Sequence, residues 1–145
     1  MSGIRRVIKT MAVGLAVVTA VMSTAVSADA TPIQPRHAIY CDTAAIAPQQ
    51  YYRGTMVTGK GHTICTTSPD IMNITVIIWR YDGGGKYTQL VHKTSNQTGT
   101  DVLVIAQVGC DYSRAFPMHT EVRFSAFHGN WWDEDVNSDT VTMYC

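Results

Sequence analysis

Asn73 to Lys86 reads N-I-T-V-I-I-W-R-Y-D-G-G-G-K. β-Branched and aromatic residues fill it, and Asp82-Gly83-Gly84-Gly85 ends it, so the stretch predicts a long strand running into a tight turn. Side chains alternate across a strand. Met72, Ile74, Val76 and Ile78 therefore share one face, unbroken aliphatic and fit for a core, which ends in Arg80 and Asp82. Asn73, Thr75, Ile77, Trp79 and Tyr81 share the other, polar at first and apolar toward the turn. An aromatic row is expected on the outside of the sheet.

Other strands follow from the same parity. Lys86–Lys93 is the return arm of a hairpin through the glycine turn. Gly54–Thr66 places Val57, Gly59, Gly61, Thr63 and Cys65 on one face. Its two glycines indicate a bulge or a close backbone approach. Asp101–Cys110 carries Val102, Val104, Ala106 and Val108 on one face and Leu103 and Ile105 on the other. Apolar residues on both faces predict a strand deep in its sheet. Thr120–His128 turns Val122, Phe124 and Ala126 inward and Glu121 and Arg123 outward, and Asp139–Cys145 turns Val141, Met143 and Cys145 inward. Arg36–Cys41 is a short first strand. The intervening stretches Asp42–Tyr52, Thr94–Thr100, Asp111–Met118 and Gly129–Asn137 read as loops, and residues 29–35 as a lead-in. About seven strands and no helix after the N-terminal segment predict an antiparallel two-sheet sandwich, immunoglobulin-like in architecture. A small Greek-key barrel is the alternative.

Residues 1–28 have the organisation of a signal peptide: Arg5, Arg6 and Lys9, then the apolar run Met11–Met22, then Val26-Ser27-Ala28 and Ala28-Asp29-Ala30, both small-x-small. The run is shorter than the ~20 residues of a membrane span, so no span is expected after cleavage. Arg5-Arg6-Val7-Ile8-Lys9 also resembles a twin-arginine export motif, with Ile4 where Ser or Thr is usual. Either route predicts a secreted protein. Cleavage after Ala28 leaves eight basic and eleven acidic residues, a net charge of −3. That balance argues against a nucleic-acid or anionic-membrane partner. Cys41, Cys65, Cys110 and Cys145 all lie in the remaining single domain, 29–145. An even count after a signal peptide predicts two disulfides. Three pairings are open, and the sequential one, Cys41–Cys65 with Cys110–Cys145, is preferred.

The order V-T-G-K-G-H-T-I-C (Val57–Cys65), I-T-V-I-I-W-R-Y-D-G-G (Ile74–Gly84) and a final V-T-M-Y-C (Val141–Cys145) resembles small secreted actinobacterial proteins of unknown function. The resemblance implies secretion and a disulfide-bonded β-sandwich, and it implies no activity. The triplet Trp79-Arg80-Tyr81 also resembles the W-R-Y that small secreted actinobacterial α-amylase inhibitors present to their target. Those are β-proteins with two disulfides, but their triplet lies in a turn within the first disulfide loop.

The sequence lacks G-x-S-x-G, H-E-x-x-H, S-x-x-K and a glycine-rich phosphate loop. His37, His62, His92, His119 and His128 are scattered. Catalysis is therefore not expected. Asp133, Asp135, Asn137 and Asp139 offer oxygen at alternate positions, as a Ca2+ loop requires. Ser138 and Tyr144 occupy the places where the full motif needs Gly and Glu. The competing reading is a solvated hairpin loop with no cofactor. Trp131 and Trp132 stand in the same stretch. They fit carbohydrate stacking or a protein contact, unless one caps the core. The leading expectation is a non-enzymatic protein that binds an extracellular protein or carbohydrate through Ile77, Trp79, Tyr81, Trp131 and Trp132. A secreted inhibitor of an amylase or protease is the second, and a small carbohydrate-active or other hydrolytic enzyme the third.

Overall fold

The structure is a computed structural model that describes residues 38–51, 55–111 and 113–145. The signal segment, the lead-in, Arg36 and His37 lie outside the described residues. Eight strands are formed: β1 (Cys41–Tyr51), β2 (Met56–Cys65), β3 (Ile71–Gly83), β4 (Lys86–Ser95), β5 (Asp101–Gly109), β6 (Ala115–Phe127), β7 (Trp131–Asn137) and β8 (Val141–Tyr144). They make two antiparallel sheets, β1-β2-β5 and β4-β3-β6-β7, with β8 also paired to β6. The chain returns from β4 through β5 in the other sheet to β6 beside β3, a Greek-key course. The described residues hold no helix long and apolar enough to cross a membrane.

The β3–β4 hairpin closes with Gly83 opposite Lys86, leaving Gly84 and Gly85 as a two-residue loop. Both have positive φ, 60° and 77°, which a type I′ turn demands and only glycine adopts without strain. The aliphatic face of β3 is the centre of the core: Met72, Ile74, Val76 and Ile78 are buried. They pack with Val57, Val102, Val104, Ala106, Met118, Val122, Phe124 and Ala126 from the facing and neighbouring strands. Each large side chain so buried contributes about 1.5–3 kcal/mol of transfer free energy.

The glycines of β2 set the distance between the sheets. A Cβ on Gly61 would lie 2.7 Å from Val76 Cγ2 and 2.8 Å from Val122 Cγ2. One on Gly59 would lie 2.8 Å from Thr120 Oγ1 and 2.9 Å from Ile78 Cγ1. The close approach read from these glycines is thus between β2 and the β3–β6 pair. Cys41–Cys65 bridges paired positions of β1 and β2. Cys110–Cys145 joins the residue after β5 to the residue after β8, tying the two sheets together at one end. Neither bridge joins the central strands of the two sheets as in immunoglobulin domains, and no cysteine lies on β6.

Four sequence expectations change. The loop expected at Asp42–Tyr52 is strand as far as Tyr51: Cys41–Tyr51 is β1, irregular between Ile46 and Gln49, around Pro48, and Tyr52 lies outside the described residues. Of the short strand expected at Arg36–Cys41, residues 38–40 are not in a strand and Cys41 opens β1, while Arg36 and His37 lie outside the described residues. Gly129–Asn137 is not a loop either. Trp131–Asn137 pairs with β6 over Glu121–Phe127, and the turn is confined to His128-Gly129-Asn130. β6 starts at Ala115, inside the expected Asp111–Met118 loop, and Pro117 is accommodated opposite Thr142 of the four-residue β8. β5 is at the edge of its sheet rather than deep within it, and Leu103 and Ile105 are exposed. In the first three cases pairing with a neighbouring strand outweighs weak local propensity; in β5, exposed apolar residues imitate burial.

Candidate functional site

The outer face of the β4-β3-β6-β7 sheet holds the most elaborate side-chain arrangement. Strand parity puts Ile77, Trp79 and Tyr81 of β3 there, level with Glu121 and His119 of β6. Trp79 lies opposite His119, and Ile77 opposite Glu121, so Trp79 and Glu121 are diagonal neighbours. The Trp79 indole Nε1 donates to Glu121 Oε2 at 2.5 Å. Arg123 Nε donates to Glu121 Oε1, also at 2.5 Å. One carboxylate thus fixes an indole and neutralises a guanidinium. The Glu121 side chain is 14% exposed, so its charge needs that partner. Its hydrogen bond and charge hold the Arg123 guanidinium above its ordinary value.

Beside this pair an open cleft of about 510 Å³ is lined by Trp79, Tyr87, His119, Glu121, Asn137, Ser138 and Thr140. Tyr87 starts from β4, packs against the tilted ring of Tyr81 at 5.1 Å between centroids, and meets the His119 ring edge-on at 5.4 Å. It therefore reaches over β3 and remains 55% exposed. Burial pushes the His119 imidazole below its ordinary value of 6.5, against the opposing pull of the Glu121 charge. The far wall is the β7–β8 connection. Ser138 N donates to Thr120 O at 2.9 Å, and Ser138 Oγ accepts from Thr120 N at 2.9 Å. The same hydroxyl donates to Asp139 O. These bonds lock the connection onto β6 and leave Asn137 and Thr140 exposed beside it.

The aromatic row read from the sequence is divided by the fold. Ile77 is on the outer face but only 3% exposed, a correction to its place in a contact surface. It lies at the corner of the Trp79–Glu121 diagonal. Trp79 and Tyr81 are partly exposed. Trp131 is 58% exposed but pairs with Phe127, eight residues along β6 from the partner of Trp79. At ~3.4 Å per residue that is about 27 Å, so Trp131 belongs to the opposite end of the sheet. There it packs on Phe127 at 5.3 Å. Trp132 points to the inner face, against the core and Tyr40. Trp131 and Trp132 therefore do not join Trp79.

The alternate oxygens Asp133, Asp135 and Asn137 lie on a strand, not a curled loop. Alternate strand positions are ~6.8 Å apart, so the three extend over about 14 Å, whereas Ca2+ ligands must meet at ~2.4 Å from one ion. Asp139 follows in the connection to β8. Among the described residues no group of three or more His, Cys, Asp or Glu side chains is placed to hold a metal ion. The triplet Trp79-Arg80-Tyr81 is split by parity as well. Arg80 faces the core side, stacked on Phe116 at 4.5 Å and bonded to Asp82 at 2.7 Å.

Tyr87, His119, Glu121, Ser138 and Thr140 were not among the site residues expected from the sequence. Parity did place Glu121 outward. What the sequence could not supply was the register that puts β6 beside β3 and brings the β7–β8 connection alongside. No family model, curated protein or solved structure matches the chain.

Proposed function

We propose that this is a secreted, non-enzymatic β-sandwich that acts by binding through the outer face of its larger sheet, at the Trp79–Tyr87–His119 cleft. The observation that carries the reading is the Trp79–Glu121–Arg123 arrangement beside an open aromatic cleft. Both Glu121 oxygens are committed to positioning neighbours, and among the described residues Glu121 is the one carboxylate lining the cleft. A general acid or base needs a proton site available to the substrate, and glycoside hydrolysis needs two carboxyl groups. A fixed indole with a half-exposed tyrosine is, by contrast, what a recognition surface needs, because little side-chain entropy is lost on contact. Secretion is supported by the basic-then-apolar N-terminal segment and by two disulfides, which persist in oxidising compartments.

The test is a parallel screen of the full mature protein on soluble and insoluble polysaccharides and on a panel of secreted amylases and proteases. Co-sedimentation, product release and inhibition are all measured. Binding without product release or inhibition is the expected result. Release of product overturns the non-enzymatic reading, inhibition of a panel enzyme makes the binder an inhibitor, and the absence of any binding overturns the binding reading.

A further inference from the structure

The chemistry of the cleft narrows what it can hold, on the assumption that the cleft is the binding surface. We propose that it takes a pyranose ring of an uncharged saccharide. Charge accounting excludes the main alternatives. The Glu121 carboxylate is neutralised by Arg123 at 2.5 Å, so the cleft does not present the net negative charge that a cationic ligand seeks. Arg123 does not line the cleft, and the other basic group there, His119, sits against Tyr87 with its charged form disfavoured by burial. An anion would find no cation to pair with among the lining residues. What is left is a surface of neutral donors and acceptors beside flat rings.

That combination suits a sugar. One face of a pyranose is a patch of C–H groups that lies against an aromatic ring, and its rim is a belt of hydroxyls. Trp79 and Tyr87 provide the rings. Asn137 provides a planar amide that can donate and accept at once, and Thr140 and His119 add single polar groups to the lining. The cleft volume of about 510 Å³ lies in the range of small-ligand sites, ~300–1,000 Å³. Its open mouth accommodates one or two rings of a longer chain, not an enclosed monosaccharide. The indole orientation does not have to be selected on binding, since Glu121 already holds it.

The experiment is a titration followed by ¹H–¹⁵N NMR of the full mature protein. The probes are methyl glycosides of glucose, galactose and mannose and their linear di- to hexasaccharides. Tetramethylammonium and inorganic phosphate are the charged controls. The expected result is that at least one oligosaccharide shifts the Trp79 indole Nε1–H and the amides of 119–121 and 137–140, while the charged probes shift none of them. Tyr87→Ala and Asn137→Ala, both at exposed positions, keep the dispersed spectrum and weaken binding about tenfold (~1.4 kcal/mol). If tetramethylammonium or phosphate moves these resonances and no saccharide does, or if only a protein from the secreted panel moves them, the saccharide assignment falls while the binding face stands. If saccharides bind but shift only residues away from the cleft, both fall. If no probe or protein shifts them, both fall.

Discussion

Trp79 and Glu121 meet on the diagonal between β3 and β6, with the indole Nε1 donating to a carboxylate that also holds Arg123. Two consequences follow from one contact. The ring is fixed before any ligand arrives, and the carboxylate is spent. Glu121→Gln keeps the shape but replaces a charged acceptor with a neutral amide, so the Arg123 partner is lost. Glu121→Ala also leaves the indole donor unmatched, at a cost of roughly 1–3 kcal/mol. Urea unfolding should rank the variants Ala below Gln below wild type. Equal stability of all three would mean that the contact does not organise this face.

Gly61 and Gly109 make a paired test of the sheet spacing. Gly61→Ala places a methyl within 2.7 Å of Val76 and must push β2 away from β3 and β6, at a cost of about 1–3 kcal/mol. Gly109→Ala meets nothing within 4 Å and should be near neutral. Thermal unfolding of the two single variants is sufficient to compare them.

The two faces of β5 should respond oppositely to the same change. Val104 is 5% exposed and Ile105 is 42% exposed. Val104→Lys puts an unpaired charge in the core and should unfold the domain, while Ile105→Lys should stay within ~0.5 kcal/mol of wild type. Near-ultraviolet circular dichroism distinguishes the outcomes at once.

Acid should destabilise the protein in two separate windows. Burial lowers the folded-state value of His119 below 6.5, despite Glu121, so the unfolded chain binds the extra proton first. Stability is full above about pH 6.5 and declines as pH falls toward the lower folded value. His119→Gln should remove this window. Asp82 is lowered below 3.8 by its hydrogen bond from Thr88 and then by Arg80, so its contribution is present above that value and is lost only at lower pH. Stability measured from pH 8 to pH 3 should therefore fall in two steps, of which only the upper disappears in His119→Gln. Persistence of the upper step in that variant would assign it elsewhere.

Much of the fold was legible because β3 is unambiguous. A two-residue period with an aliphatic face and a triple-glycine stop leaves few alternatives to a hairpin and a sandwich. The cysteines agreed, since sequential bridges are what neighbouring β1–β2 and the converging ends of β5 and β8 produce. The misreadings have a common cause. Asp42–Tyr51 with its Pro48, the acidic Trp131–Asn137 and the Pro117 segment have poor strand propensity, and become strands because neighbouring strands offer them a ladder of hydrogen bonds. β5 misled in the opposite sense: exposed Leu103 and Ile105 mimic burial in the sequence. The candidate site was half legible. Parity showed that Trp79, Tyr81 and Glu121 face outward, but only the register shows that Trp79 and Glu121 touch and that Trp131 is at the other end.

The binding of the two exposed-face tryptophan variants is the most direct measurement. Titration calorimetry with whatever ligand the wild-type protein binds should show Trp79→Ala weakened about tenfold or more (~1.4 kcal/mol or above) and Trp131→Ala unchanged. Equal affinity in Trp79→Ala and wild type, with both folded, would contradict the Trp79 cleft as the place where this protein meets its ligand.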